Sequence, residues 1–428
     1  MIGVHKQRLF LNFSSLSIIQ VINFLLSFLV IPFVVRKIGT NNFGVISVAQ
    51  VVMIYLAIAV EYGFSQTATR EIALNVNSAD RLRMSAIFSV VVITKIIICI
   101  VSFAFLIGML FLVPIFHDHF LLYMLGFFFV IGQTFFINWF FMGTEKMQYI
   151  AIFSLIGRII FVLLVVVFIQ QSSDAPLFLF FMGFGNFIAG VASIGVAFRM
   201  YNLRLIKPGW KDIKQELRKG WPITIANFQI TTCQYAGIFI LRFFTNDLVT
   251  GYYSIAEKIF FAMKMMVGVF SQAAYPAICQ LLNKGKTEAI FFLRRTFIPF
   301  LLVVIFCTLL IYIFSPRILY LLIGQEYSHA SIILRMFCFA VVIVGLNIPA
   351  YLLLLAGDHR KSYLKVFTIG AIIYLTGNIV LTNYFGAIGT AITVLITETF
   401  ITGALYWEAF RIYSARQKSE PGPLRIRK

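Results

Sequence analysis

The chain has 428 residues, of which 61% are hydrophobic and 12% charged, with a mean hydropathy of +0.94 and a formal net charge of +19. A water-soluble domain of this length needs a much larger charged share to cover its surface, so a soluble enzyme or binding module is excluded. The long, continuously apolar runs are those of an all-α integral membrane protein; the strands of a barrel would be short and alternating.

The chain opens on MIGVHKQRLF, short and basic, and a mostly apolar stretch follows to Val35. That stretch is too long for the apolar region of a signal peptide and lacks a small-residue cleavage site, which predicts an uncleaved first span. Arg36 and Lys37 end it before a turn at 39–42. Further spans are predicted at about 43–65, 84–112, 119–141, 148–170 and 177–198. After a basic connector, six more follow at about 222–241, 250–271, 296–315, 330–355, 362–383 and 387–409. That makes twelve. The sequence therefore divides into a first six-helix bundle (1–198), the connector (199–221), a second six-helix bundle (222–410) and a basic tail (411–428). Trp210 and Trp221 bracket an amphipathic run at 211–219, the pattern of a helix lying on the inner leaflet. Beyond Ser315 and Pro316, residues 317–330 outrun the loop at 114–120 that they would match and predict a short helix on the outer surface. The end of the tail, RQKSEPGPLRIRK, reads as disordered.

Orientation follows from Lys and Arg. With the N-terminus inside, 25 of the 35 fall on inner segments and 4 on outer loops, which places both termini in the cytoplasm. The basic residues are spread over every inner loop, so no nucleic-acid groove is formed. An internal echo accompanies this pattern. Gly44, Ser47, Ala49 and Gln50 align with Gly251, Ser254, Ala256 and Glu257 at an offset of 207, and Gly143, Tyr149 and Phe153 align with Gly357, Tyr363 and Phe367 at 214. Two halves of six spans enter from the same side, so the duplication is parallel, about a pseudo-two-fold axis along the membrane normal, with corresponding helices facing a central cleft.

No catalytic or nucleotide-binding set is present; there is no GxxxxGK[ST] phosphate loop. Cys99, Cys233, Cys279, Cys307 and Cys338 lack CxxC spacing and read as small core residues. His117–Asp118–His119 has no further ligand nearby and predicts no metal site. The informative residues are charges inside the spans: Lys95, Arg158, Lys258, Lys264, Arg335 and Lys365 against Glu61, Glu257 and Glu398. Ionised groups are rare there and usually face a cavity or a partner. Lys365 lies close enough to the inner end to snorkel, and Glu257 and Lys258 have the same option. For the deeper ones the choice is between internal ion pairs and a functional cavity. A surplus of cations suits an anionic passenger, and Arg offers a forked donor set to phosphate oxygens. Arg158, Lys258, Lys264, Lys95 and Arg335 are thus the candidates for substrate binding. Glu61, Glu398 and Glu257 are the candidates for a coupling H⁺ or Na⁺; no other cofactor is implied.

Phe43–Gly44, the run EYGFSQTATREIA from Glu61, the run TGYYSIAEK from Thr250 and the run YLLIGQEY from Tyr320 resemble the polysaccharide-transporter family. This is the group of bacterial O-antigen (Wzx-type) flippases within the multidrug/oligosaccharidyl-lipid/polysaccharide exporter superfamily. The likeness runs over about residues 8–410. It implies translocation of an undecaprenyl-diphosphate-linked oligosaccharide from the cytoplasmic to the periplasmic face of the inner membrane. It further implies two rocking six-helix bundles coupled to an ion gradient, with the cations of spans seven and eight and of the matching first-half helices on the diphosphate and sugars. Polysaccharide polymerase and chain-length regulator are the implied partners, and a monomer is expected because one chain contains both bundles. A drug exporter of the same superfamily would want surplus carboxylate for a cationic passenger. An O-antigen polymerase would want a long outer loop with catalytic groups, and none is present.

Overall fold

The structure, a computed structural model, describes residues 2–76, 81–284, 286–324, 328–357 and 359–419. Among these it is helical almost throughout and holds no strand. The helices begin with α1 (Ile2–Glu61), α2 (Phe64–Asn75), α3 (Arg81–Leu112), α4 (Pro114–His117), α5 (Phe120–Gly126), α6 (Phe128–Phe135) and α7 (Asn138–Gly143). They continue with α8 (Met147–Phe168), α9 (Leu177–Tyr201), α10 (Trp210–Phe244), α11 (Asp247–Lys284), α12 (Lys286–Ile323), α13 (Ser328–Ala356) and α14 (Arg360–Ser419). Among the described residues, eight helical stretches are long and apolar enough to cross a membrane, with mean hydropathy from 1.8 to 2.9. Their apolar side chains are not confined to the interior: Leu112, Phe105, Leu163, Phe306 and Trp407 are 59–81% exposed. Lipid is the medium that tolerates so much open apolar surface. The chain is an all-α, multi-pass membrane protein.

Several elements differ from the sequence expectation, each for a local reason. Predicted spans merge where no loop separates them: α1 and α14 each hold two, hinged at Gly39 (φ 85°, ψ 158°) and Gly386 (φ 55°, ψ −135°). Both residues occupy the positive-φ region that glycine enters without a Cβ clash. The expected surface helix at 317–330 is instead the end of α12, which runs through Pro316 to Ile323, while residues 325–327 lie outside the described residues. Pro316 has no N–H for the carbonyl of Tyr312 one turn back, and the hydroxyl of Ser315 donates to that oxygen at 3.0 Å. The connector run 211–219 is likewise not a separate surface helix but the start of α10, continuous through Pro222. It is drawn onto α2 by Lys219, which bridges Glu71 and Glu216. Burial pushes the Glu216 carboxyl above its ordinary range, the hydrogen bond from Lys219 pulls the other way, and the charge of Glu71 pushes it up further. Finally, helix continues to Ser419, and of the tail expected to be disordered residues 420–428 lie outside the described residues.

The chain divides into two compact units, Met1–Arg242 with Asn246–Gly251 and Leu322–Gly324, and Phe243–Thr245 with Tyr252–Leu321 and Gln325–Lys428. Compactness and the sequence repeat are different divisions, since α10 groups almost wholly with the first unit although its apolar part follows the connector. Within that first unit, glycines set the closest approaches. Gly157 of α8 lies against the backbone of Gly185 of α9, and Gly132 of α6 against that of Gly183. A reciprocal contact joins α1 to the first turn of α11. A Cβ on Gly44 would run into the carbonyl of Asp247, and a Cβ on Gly251 into the carbonyl of Thr40. Both residue pairs are related by the same offset of 207, so the contact is self-complementary in the manner of a two-fold interface.

Gly44→Leu and Gly251→Leu are therefore expected to destabilise the protein alike, by roughly 1–3 kcal/mol or more from overpacking against backbone. Gly195→Leu, whose Cβ would meet nothing within 4 Å, should melt within a few degrees of the parent. Thermal unfolding of the three variants in detergent measures the difference.

Candidate functional site

The predicted span at 119–141 is broken, and the break explains a fully buried charge, that of Lys95. Helix α6 stops at Phe135, Phe136 is extended (φ −79°, ψ 113°), and helix resumes only at Asn138. A helix end inside a membrane strands carbonyl oxygens that have no water to turn to. Lys95 of α3, fully buried, reaches them. Its ammonium donates to the carbonyls of Gln133 at 3.0 Å and Phe136 at 3.5 Å, and to Glu61 Oε2 at 3.0 Å. An ammonium has three hydrogens, and all three are committed. Glu61 keeps part of its carboxylate exposed, its side chain being 31% accessible. Immediately after it, Tyr62 and Gly63 both take positive φ and turn the chain into α2, with Gly63 pressed on Ile223 and Gly220 beneath Tyr62.

Arg158 follows the close-approach glycine of α8 and is half-buried. Its guanidinium lies 5.7 Å from the centroid of the Phe161 ring. Among the described residues it makes no ion pair and no hydrogen bond. One face of the cation rests on an aromatic ring, and its N–H groups form a donor set of the kind that pairs doubly with an oxyanion.

In the second unit, Lys264 of α11 pairs with Glu398 of α14 at 2.6 Å and lies 5.6 Å from the Phe260 centroid. Arg335 of α13 donates from Nε to Ser315 Oγ at 3.1 Å and lies 5.3 Å from the Tyr312 centroid. Ser315 in turn shares a 3.1 Å hydrogen bond with Ser331. The Arg335 terminal nitrogens are not consumed by that bond. Glu257 is 4% exposed, beside Tyr253 and Lys258.

The structure adds polar residues that the charge-led reading passed over. Asn378 is fully buried; its Nδ2 donates to Tyr374 O at 2.8 Å, which leaves Oδ1 without a partner. Thr397 Oγ1, one residue before Glu398, is also buried and unpartnered. Asn378, Thr382, Thr390, Thr393 and Thr397 recur at three- and four-residue steps or across the Gly386 turn, an uncharged polar stripe along two spans. That spacing is the signal which could have found them.

Lys95→Met would strand both the Glu61 carboxylate and the α6 carbonyls, at an expected cost of roughly 3–5 kcal/mol. The double variant Lys95→Met/Glu61→Leu should recover part of the loss, because the charge goes with its partner. Melting temperatures of the single and double variants test this; a single variant as stable as the parent would contradict it.

Comparison with known proteins places this arrangement. The family model described as polysaccharide biosynthesis protein matches residues 9–282. A protein of Escherichia coli (strain K12) is 26% identical over 404 residues, covering 94% of this chain and 97% of its own. One of Shigella dysenteriae is 25% identical over 393 residues, covering 91% and 97%. Both carry the name "Putative O-antigen transporter". Among solved structures, the lipid II flippase MurJ in its inward closed conformation superposes with a TM-score of 0.69 at 13% identity, covering 92% of this chain and 86% of its own. The inward-facing form of a multidrug resistance MATE family transporter gives 0.62 at 14% identity, covering 92% and 99%. At those identities the two structures establish likeness of fold. With the family model matching well over half of its length, the chain belongs to the polysaccharide biosynthesis protein family.

Proposed function

We propose that this chain is a flippase for an acidic lipid-linked glycan, moving an undecaprenyl-diphosphate-linked O-antigen repeat unit from the cytoplasmic to the periplasmic leaflet of the inner membrane. The observation that carries the reading is Arg158, a guanidinium in a membrane span with no carboxylate partner among the described residues. Lys95 and Lys264 are neutralised by Glu61 and Glu398, so the candidates split into structural pairs and a remainder. The remainder favours an anion. A diphosphate on a lipid cannot cross hydrocarbon unaided, since the Born cost of a bare charge is of order tens of kcal/mol. Cations held ready in the spans lower that barrier, and Arg158 and Arg335, each with an aromatic ring beside it and open N–H donors, are the residues assigned to the diphosphate.

The names of the two relatives, which match over more than nine-tenths of both chains, point the same way and supply the glycan class. In this reading twelve spans form two like-oriented six-span bundles that work by alternating access. The reciprocal contact of Gly44 and Gly251 supports a duplication about an axis along the membrane normal. Efflux of a cationic drug is disfavoured by the same leftover positive charge. For the driving ion, H⁺ or Na⁺, Glu257 is preferred to Glu61 and Glu398, because it is buried where those two are partly exposed and each joined to a lysine of another helix, while its own cationic neighbour, Lys258, is the next residue along the same helix. The same unit holds buried oxygens of neutral residues without a partner, Asn378 Oδ1 and Thr397 Oγ1.

In a deletion strain, Arg158→Ala should cut long surface polysaccharide at least about tenfold with the protein still in the membrane, and Arg158→Lys should restore only part, because an ammonium lacks the fork. Normal ladders from a well-expressed Arg158→Ala protein would remove the assignment. In proteoliposomes, Glu257→Gln is expected to abolish the pH or Na⁺ dependence of exchange while Glu398→Gln retains it. The opposite pattern would move coupling to Glu398.

A further inference from the structure

Away from the intramembrane charges, the first unit carries a groove of about 670 Å³ between the start of α3 and the end of α9. Its construction is specific. Helix α9 ends on Asn202 in the left-handed region (φ 49°, ψ 45°), and the chain then doubles back so that Leu203 N–H bonds Phe198 O at 3.3 Å. The non-helical residues that follow lie along α3. Ser85 Oγ accepts the N–H of Arg204 at 3.1 Å and Ser89 Oγ that of Ile206 at 3.0 Å, both hydroxyls being buried. The serines stand one helical turn apart and take alternate residues of the connector, so this short run is fixed in register on α3.

The lining is of two kinds. Leu82, Phe198 and Leu203 give an apolar floor, and Arg199 and Arg204 bring two guanidiniums. Among the described residues neither side chain has an ion pair or hydrogen bond, and no carboxylate lines the groove. Around it, large apolar residues stand open: Leu82 is 63% exposed, Leu205 69% and Trp210 69%. Exposed Leu and Trp interleaved with Arg and Lys are the marks of a segment seated at the boundary of headgroups and acyl chains.

We propose that this groove binds an anionic glycerophospholipid of the leaflet that the connector faces, with the phosphodiester between Arg199 and Arg204 and the first acyl carbons on Leu82 and Phe198. A free phosphate would use the two arginines and gain nothing from the floor. A zwitterionic lipid would bring its own cation to a groove that has two. The connector joins the two sets of six predicted spans, so a lipid seated here would clamp it against α3.

The test uses the purified full-length chain in detergent, titrated with phosphatidylglycerol, phosphatidylcholine and inorganic phosphate, with native mass spectrometry and melting temperature as readouts. Phosphatidylglycerol should be retained and should raise the melting temperature; phosphatidylcholine should do neither. Arg199→Gln/Arg204→Gln should weaken phosphatidylglycerol binding about thirtyfold, the two charges each contributing about the surface value, with lipid-free melting unchanged. Arg294→Gln/Arg295→Gln, which removes the same charge from two exposed arginines elsewhere, should leave it unaltered. Equal binding by the Arg199/Arg204 variant, equal loss in the Arg294/Arg295 control, or full displacement by millimolar phosphate would each overturn the proposal.

Discussion

In hydrocarbon a backbone carbonyl without a donor has nowhere to turn, and much of this structure answers that constraint. A helix satisfies itself, so the chain is almost all helix; what needs explaining is each place where the ladder is interrupted. At Pro316 the lost N–H is replaced by the hydroxyl of Ser315 on the Tyr312 carbonyl. At the larger gap after Phe135 a hydroxyl cannot reach, and a whole ammonium is brought in from α3. The counter-charge Glu61 then comes from the end of α1, immediately before the Tyr62–Gly63 turn. One interrupted helix thus fixes the relation of two others, α1 and α3. The buried charge of Lys95 is a consequence of backbone chemistry before it is anything else.

That ordering changes how the remaining charges are read. A cation in a membrane is expensive, so each must be accounted for by a partner or by a task. Lys95 and Lys264 have carboxylate partners across helices, whereas Arg158 and Arg335 have rings and, for Arg335, serine hydroxyls. Aromatic and hydroxyl neighbours stabilise a guanidinium while leaving its charge uncancelled. In the proposed function this is the property required of a group that would attract an anion and later release it. A carboxylate neighbour would compete with the passenger.

How much of this was legible in the sequence follows from the range of the interactions. Hydropathy and the distribution of Lys and Arg are local sums, and they gave the helical class and the apolar stretches directly. The break at Phe136 and Ile137 was not legible, because neither residue is a helix breaker and the donor that makes the break tolerable lies some forty positions upstream. The pairing of Lys264 with Glu398 spans 134 positions, and in the sequence it is one option among several. Asn378 and Thr397 escape a reading by formal charge for another reason: neutral polar groups in a span carry their signal in spacing alone. The merging of the connector with α10 depended on Gly220 fitting beneath Tyr62, a contact between distant segments that composition does not record.

The turn at Gly386 has a bearing on how the molecule is made. On its two sides Thr382 bonds Thr390, Gly389 touches the Leu381 carbonyl, and Gly377 lies beside Thr393. Contact between the strands of this hairpin begins within four residues of the bend, with no slack chain between them. The first segment to emerge during synthesis would hold Asn378 and Thr382 towards lipid until its successor arrives. With so tight a bend the two segments would pair as soon as the second is made, so the polar side chains of 362–383 would meet their partners only once 387–409 has been synthesised.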